Sequence, residues 1–458
     1  MQRLLSKQGL FIGLLLGYLL FLFFTNPSHK AELAIGLAVF MIVCWVFELI
    51  SIYLTALVPL LVAVPLGLIT PKELAVSYGD SNVYLFFGGF VLALALEKWG
   101  VHEQLARRII AKVGDSKSRV LLGFILSTGF ISMWISNTAT ALMMLPMAVA
   151  VIEAMPVAHR QSKFSALLML SIAYASNIGG VGTLIGSPPN TQMASILSDR
   201  FQTEISFFDW MKIGMPLAMV LLLLMYVFFH FLLGKERDEV HDLHFHKTPW
   251  STEQKRVLVV FLVVAFLWVF REPIVNLTGF AYRDEAAALL GALALFLWPS
   301  TKPEQTLLSW KDTEKLPWGI LLLFGGGLAM AAILEKNGVL ELISHTFGQL
   351  TGFSTIGIVF VVALLAIFIS EVMSNLAMVT IFVPIIALLA QVSGQSVTQL
   401  TMALTLGASL AFMMPVGTPP NAIVFGSGYL QIKQMIRFGF VLNILSLLLI
   451  TLFCSWFL

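Results

Sequence analysis

The chain has 458 residues, 58% of them hydrophobic and only 11% charged, with a mean hydropathy of +0.91 and a net charge of +2. A soluble domain carries about a quarter charged residues, so these charges cannot clothe a water-soluble body of this size. The net charge is neutral on nucleic acid, but no basic patch interleaved with aromatics is present and none is expected as a partner.

In chain order, apolar runs near 10–24, 33–50, 52–69, 84–98, 164–198, 212–233, 257–272, 284–299, 318–335, 399–426 and 438–457 read as membrane segments, since a bilayer core needs about 20 apolar residues. The expected fold is an all-α polytopic membrane protein with about eleven transmembrane helices. Arg3 and Lys7 before the first run could belong to a cleaved signal peptide. No small-residue cleavage site follows in FFTNPSHK, so the run is kept as the first membrane helix. Two more apolar stretches, 120–154 and 356–390, are long enough to enter and return as re-entrant helical hairpins. The segments 164–198 and 399–426 are broken midway by Gly and Pro. The hydrophilic loop 234–256 is a cytoplasmic linker between an N-terminal half, 1–233, and a C-terminal half, 257–458. Its His241, His244 and His246 could suggest a metal site, but with no ordered ligand set a solvated loop is favoured. Cys44 and Cys454 lie in apolar helices and read as packing residues.

Basic residues favour the cytoplasmic side of a membrane. The layout puts twenty of the 27 Lys and Arg inside, with the N-terminus cytoplasmic and the C-terminus external in the cell's plasma (inner) membrane. Both ends of 120–154 then fall inside and both ends of 356–390 outside, so the hairpins enter from opposite faces. A repeat underlies this arrangement. From Phe86 to Val101, nine of sixteen positions match the segment 238 residues later, and that offset sets Ser136-Asn137 on Ser374-Asn375 and Pro146 on Pro384. GSPPN (186–190) matches GTPPN (417–421) at an offset of 231. Oppositely inserted matched halves are the plan of many secondary transporters, with the substrate between them near mid-membrane.

Four breaks carry the chemistry: MWISNTATALMMLP (133–146), GGVGTLIGSPPNT (179–191), SEVMSNLAMVTIFVP (370–384) and MMPVGTPPNA (413–422). Unwound backbone inside a bilayer is tolerated only where protein or a polar cavity satisfies it. Each break alone could be a kink held by small polar side chains; four breaks paired by a repeat favour a site. Segments 120–154, 164–198 and 356–426 contain no Lys, Arg or His, and their acids are Glu153 and Glu371. An anion bound there would be met by helix N-termini and co-bound cations. Break carbonyls and the hydroxyls of Ser132, Ser136, Ser370 and Ser374 are hard oxygen ligands that suit sodium. Asn137 and Asn375 can serve a ligand or the backbone. Glu371 could relay protons, lie near a sodium ion, or act as a structural hydrogen-bond partner.

With Ser136-Asn137-Thr138, Ser374-Asn375 and the two Pro-Pro-Asn loops, the chain resembles the divalent anion:sodium symporter family, which includes bacterial INDY-type dicarboxylate carriers. The resemblance covers nearly the whole chain. It implies a homodimer with scaffold and transport domains, an elevator mechanism, and sodium as the co-transported ion. It implies a first sodium site of Ser132, Ser136, Asn137 and Gly186, and a second of Ser370, Met373, Asn375 and Gly417. Substrate carboxylates would meet Asn137, Thr138, Asn375, Thr418 and Pro419. The second triplet departs from the family's pattern: Leu376 stands where a threonine hydroxyl could bind one end of the substrate, which puts substrate identity in question. The expected substrates are C4-dicarboxylates such as succinate, malate or fumarate, with citrate or sulfate as further candidates. A dicarboxylate exchanger and a sodium/proton antiporter built on Glu371 remain alternatives. Enzyme chemistry has no support, because the serines lack a nearby His or Lys within their segments.

Overall fold

A computed structural model describes residues 7–26, 28–113, 116–234, 249–302, 304–339 and 354–456. Arg3, the three loop histidines and most of the 234–256 linker lie outside the described residues. Those described are helical apart from short 3-10 turns, connecting loops and one isolated bridge, Pro299 to Thr306. Among the described residues, nine helices are long and apolar enough to cross a bilayer, or ten counting one pair bent by 74°.

The N-terminal half begins with α1 (Lys7–Phe24) and α2 (Lys30–Phe47). The segment expected to cross as one helix at 52–69 is instead two short helices, α3 (Ile52–Thr55) and α4 (Val58–Val62). Proline explains the difference: Pro59 has no N–H to continue the ladder, Pro65 follows, and Gly67 turns the chain at φ +63°. Then come α5 (Pro71–Tyr78), α6 (Ser81–Lys98), the amphipathic α7 (Val101–Val113), α8 (Lys117–Ser132) and α9 (Asn137–Ala154). The half closes with α10 (Lys163–Val181), α11 (Pro188–Phe201) and α12 (Phe207–Leu233). After the linker, α13 (Thr252–Val269) bends into α14 (Arg271–Thr278), followed by α15 (Asp284–Leu297) and α16 (Trp318–Lys336). The chain ends with α17 (Thr355–Ser370), α18 (Asn375–Val392), α19 (Val397–Ser409), α20 (Pro419–Phe425) and α21 (Ile432–Trp456).

The apolar stretches 120–154 and 356–390 are thus helix–break–helix units, α8/α9 and α17/α18. The stretches 164–198 and 399–426 are broken helices, α10/α11 and α19/α20. Apart from its first residue, Lys163, all of α10 is buried, so it forms the heart of the molecule, packed by α8, α9, α12, α19 and α20. Cys44 and Cys454 are buried free thiols.

Reciprocal contacts tie the halves together. Glu73 closes the capping box that starts α5 and pairs with Lys336 at the end of α16, 2.5 Å away. Asp312 closes the capping box of the 3-10 turn before α16 and pairs with Lys98 at the end of α6, at 2.8 Å. Lys98 and Lys336 are repeat partners. Gly326 lets α16 lie against the α3–α4 junction, since a Cβ there would fall 2.5 Å from the Ala56 carbonyl oxygen.

Candidate functional site

The four breaks converge on one cavity of about 1550 Å³. Each break ends where a helix begins, and the four N-caps, Ser136 of α9, Ser187 of α11, Ser374 of α18 and Thr418 of α20, all line it. The positive ends of four helices therefore face one space. Proline at the first two positions of α11 and α20 withholds N–H groups there, so the free amide donors come mainly from α9 and α18. Exposed Lys7, Glu48, Glu97, Glu103, Arg107 and Lys315 also border the cavity, as its charged rim.

Of the residues singled out from sequence, Ser136, Asn137, Thr138, Gly186, Met373, Asn375, Leu376, Gly417, Thr418 and Pro419 line this cavity. Ser132 and Ser370 do not. Both are fully buried behind the wall.

The first break gathers oxygen. Ser132 Oγ lies 2.9 Å from the Asn137 side-chain amide and donates to the Ser176 carbonyl at 2.7 Å. The Asn137 amide has two possible orientations. In one, its nitrogen donates to Ser132 Oγ (2.9 Å), the Ser176 carbonyl (3.1 Å) and the Gly186 carbonyl (3.2 Å). In the other, Oδ1 joins those same three oxygens, a hard-oxygen cluster of the kind that holds an alkali cation. Gly186 admits nothing larger, because a Cβ there would sit 2.7 Å from the Gly180 carbonyl oxygen.

The second break differs. Asn375 Oδ1 is buried and, among the described residues, has no partner. Ser370 Oγ donates to the Ile367 carbonyl at 2.9 Å, which leaves its lone pairs available. Glu371, 4% exposed, accepts from the backbone N–H groups of Phe412, Met413 and Met414, each at 2.9 Å, and from Asn443 Nδ2 at 2.7 Å. Its carboxylate thus satisfies the unwound start of the 410–418 break, the structural role among the three weighed from sequence. The repeat partner of Glu371 is Met133 and that of Met414 is Thr183. There donor and acceptor keep their places but side chain and backbone trade roles: the Thr183 hydroxyl donates to the Met133 carbonyl.

Sequence reasoning marked the Pro-Pro-Asn loops but gave their asparagines no task. Asn190 Nδ2 donates to the Gly180 and Thr183 carbonyls, both at 2.9 Å. Asn421 Nδ2 donates to Ala411 at 3.1 Å and Met414 at 3.0 Å, the partner carbonyls at the same offset of 231. Each asparagine bridges the carbonyls that its own break sets free. Asn177, in the buried body of α10, was also missed. It lines the cavity and donates to Thr418 Oγ1 at 3.0 Å, and nothing in its local sequence separates it from an ordinary helix residue.

Comparison with known proteins agrees with this architecture. A family model described as "Citrate transporter" matches residues 42–407. A relative named sodium-dependent dicarboxylate transporter SdcS, from Staphylococcus saprophyticus, is 37% identical, covering 97% of this chain and 90% of its own. Its namesake from Staphylococcus aureus is 36% identical over 97% and 91%. Among solved structures, the Alcanivorax borkumensis YdaH transporter superposes with a TM-score of 0.56 at 12% identity, covering 94% of this chain and 98% of that one. Neisseria gonorrhoeae MtrF gives 0.60 at 12%, over 93% and 95%; at such identity the likeness speaks for the fold alone. The family match over most of the chain, and kinship with the SdcS carriers along nearly all of it, make this protein a membrane transporter of the citrate-transporter family, among the divalent anion:sodium symporters.

Proposed function

We propose that the protein is a sodium-coupled symporter of divalent anions, taking C4-dicarboxylates such as succinate, malate or fumarate, with citrate and sulfate as further candidates. The observation that carries this reading is the meeting of Asn137 with the Ser132, Ser176 and Gly186 oxygens, in a cavity whose broken-helix walls hold no basic side chain. Such a wall favours cations first. Once sodium is bound, it and the starts of α9 and α18 supply the positive charge that a dianion needs.

In this scheme Ser132, Ser136, Asn137 and Gly186 hold one sodium ion, and Ser370, Met373, Asn375 and Gly417 another. Asn137, Thr138, Asn375, Thr418 and Pro419 meet the substrate, with Leu376 facing it. The units α8/α9 and α17/α18 act as re-entrant hairpins inserted from opposite faces of the membrane. With α10/α11 and α19/α20 they form a transport domain that moves as an elevator against a scaffold, in a homodimer in the plasma membrane. The N-terminus is cytoplasmic and the C-terminus external. The cavity rim carries Lys7, Arg107 and Lys315, basic residues that the charge bias places inside, so the conformation is inward-open.

An antiporter would need Glu371 free to exchange protons, yet its carboxylate is already met by four N–H donors. The test is uptake of labelled succinate into proteoliposomes. Accumulation is expected with external sodium and not with choline. Equal uptake in choline would overturn the reading, and uptake that needs internal succinate rather than sodium would mark an exchanger.

A further inference from the structure

We propose that Asn177 is a positioning residue for substrate, holding the Thr418 hydroxyl so that its proton points into the site; this rests on the symport reading above. A threonine hydroxyl has one proton to give and two lone pairs to receive. On Thr418 both lone pairs are taken, by Asn177 Nδ2 at 3.0 Å and by the backbone N–H of Asn421 at 3.4 Å. Among the described residues the Thr418 hydroxyl donates to no protein group. Thr418 is 3% exposed and lines the cavity, so the remaining proton is offered to whatever occupies it. A carboxylate oxygen accepts such a proton strongly, because the bond is charge-assisted.

Asn177 is fully buried inside α10. Its donor end is engaged by Thr418, with the Ala411 carbonyl (3.5 Å) and Asn421 Oδ1 (3.4 Å) as further neighbours, while among the described residues its Oδ1 has no partner. The arrangement is also one-sided. At the offset of 231, the counterpart of Asn177 is Ala408 and that of Thr418 is Ser187. Ser187 makes no side-chain cap bond. The device belongs to the second-repeat end of the site, the end where Leu376 stands in place of the hydroxyl of Thr138 in the first repeat. That end has lost one hydroxyl, and Asn177 orients one that remains.

The experiment is a double-mutant cycle in proteoliposomes with Asn177→Ala, Thr418→Val and the pair, reading KM for succinate, maximal rate and the sodium half-saturation concentration. Asn177→Ala is expected to raise KM about five- to tenfold, the worth of one oriented hydrogen bond, with maximal rate and sodium half-saturation held within about twofold. In the Thr418→Val background the same change should do almost nothing, because the two act as one unit. Asn177→Ser, too short to reach Thr418, should match Asn177→Ala. Stabilisation by sodium alone in a thermal-shift assay must survive in each variant, which separates loss of positioning from loss of fold. Additive effects, or an unchanged KM in Asn177→Ala or Asn177→Ser, overturn the proposal. If Thr418→Val itself leaves KM unchanged, the site assignment under the symport reading fails instead.

Discussion

At the scale of single residues, the two Ser-Asn pairs are repeat partners placed in unlike surroundings. Asn137 sits among three oxygens, whereas Asn375 presents an unpartnered carbonyl oxygen. Without a cation, the Asn137 amide nitrogen can serve the three oxygens. A sodium ion would take over that role and turn the amide so that Oδ1 faces it. Asn137→Ala and Asn375→Ala are each expected to abolish uptake while leaving a folded, monodisperse protein; wild-type transport in both would remove them from the site. Leu376 lines the cavity and is 8% exposed. Leu376→Thr restores the hydroxyl that Thr138 supplies in the other half, so it should alter competition among succinate, citrate and sulfate more than expression level. An unchanged competition profile would place this side chain away from the ligand.

At the scale of elements, each break is stable because named groups serve its free backbone: Asn190 with Thr183 in the first half, Asn421 with Glu371 in the second. Glu371→Ala would leave three backbone N–H groups and the Asn443 amide without their acceptor, a loss on the order of 3–5 kcal/mol. The expected result is a markedly lower thermal midpoint in detergent, with or without sodium, and a midpoint close to wild type would contradict the structural role. Outside the membrane, burial pushes the Asp312 carboxyl up, but hydrogen bonds from Lys98 and Ser309 outweigh it and hold the group below the usual carboxylate range. A lowered carboxylate stabilises fully above its ordinary range, and the gain is lost as pH falls through the lowered value. Lys98→Met should therefore flatten the fall of the thermal midpoint on acidification; a curve parallel to wild type would show that the pair contributes nothing. The breaks themselves were legible in sequence, since Pro-Pro, Gly and Ser-Asn leave marks in an apolar background. So was the repeat, because its offsets hold without gaps over long runs. The partners were not. Asn177 reaches Thr418 over 241 residues of chain, and Glu371 reaches Phe412 over 41, contacts that only the packed halves create. The run 52–69 misled because its hydropathy is continuous while Pro59 and Pro65 interrupt the backbone.

At the scale of the whole molecule, an elevator must break and remake contacts between its moving and fixed parts, and one such contact lies at the end of α11. Arg200 pairs with Glu335 of α16 at 3.5 Å and donates to the Leu328 carbonyl at 3.3 Å. In the proposed scheme α11 belongs to the transport domain and α16 lies outside it, so the pair would act as a latch for the inward-open state. Both side chains are partly exposed, 21% and 47%, which limits such a pair to about 0.5–1 kcal/mol. That energy is enough to change a two-state ratio about two- to fivefold. Glu335→Gln keeps the size of the side chain and removes its charge. It should raise the outward-facing population by that factor and leave the binding site untouched. Val416, on the cavity wall and 74% exposed, can report the change as Val416→Cys. Labelling of that cysteine by a membrane-impermeant maleimide from the external side should speed up about two- to fivefold when Glu335→Gln is added, with sodium half-saturation unchanged. Equal external labelling with and without Glu335→Gln would mean that the pair does not distinguish the two states.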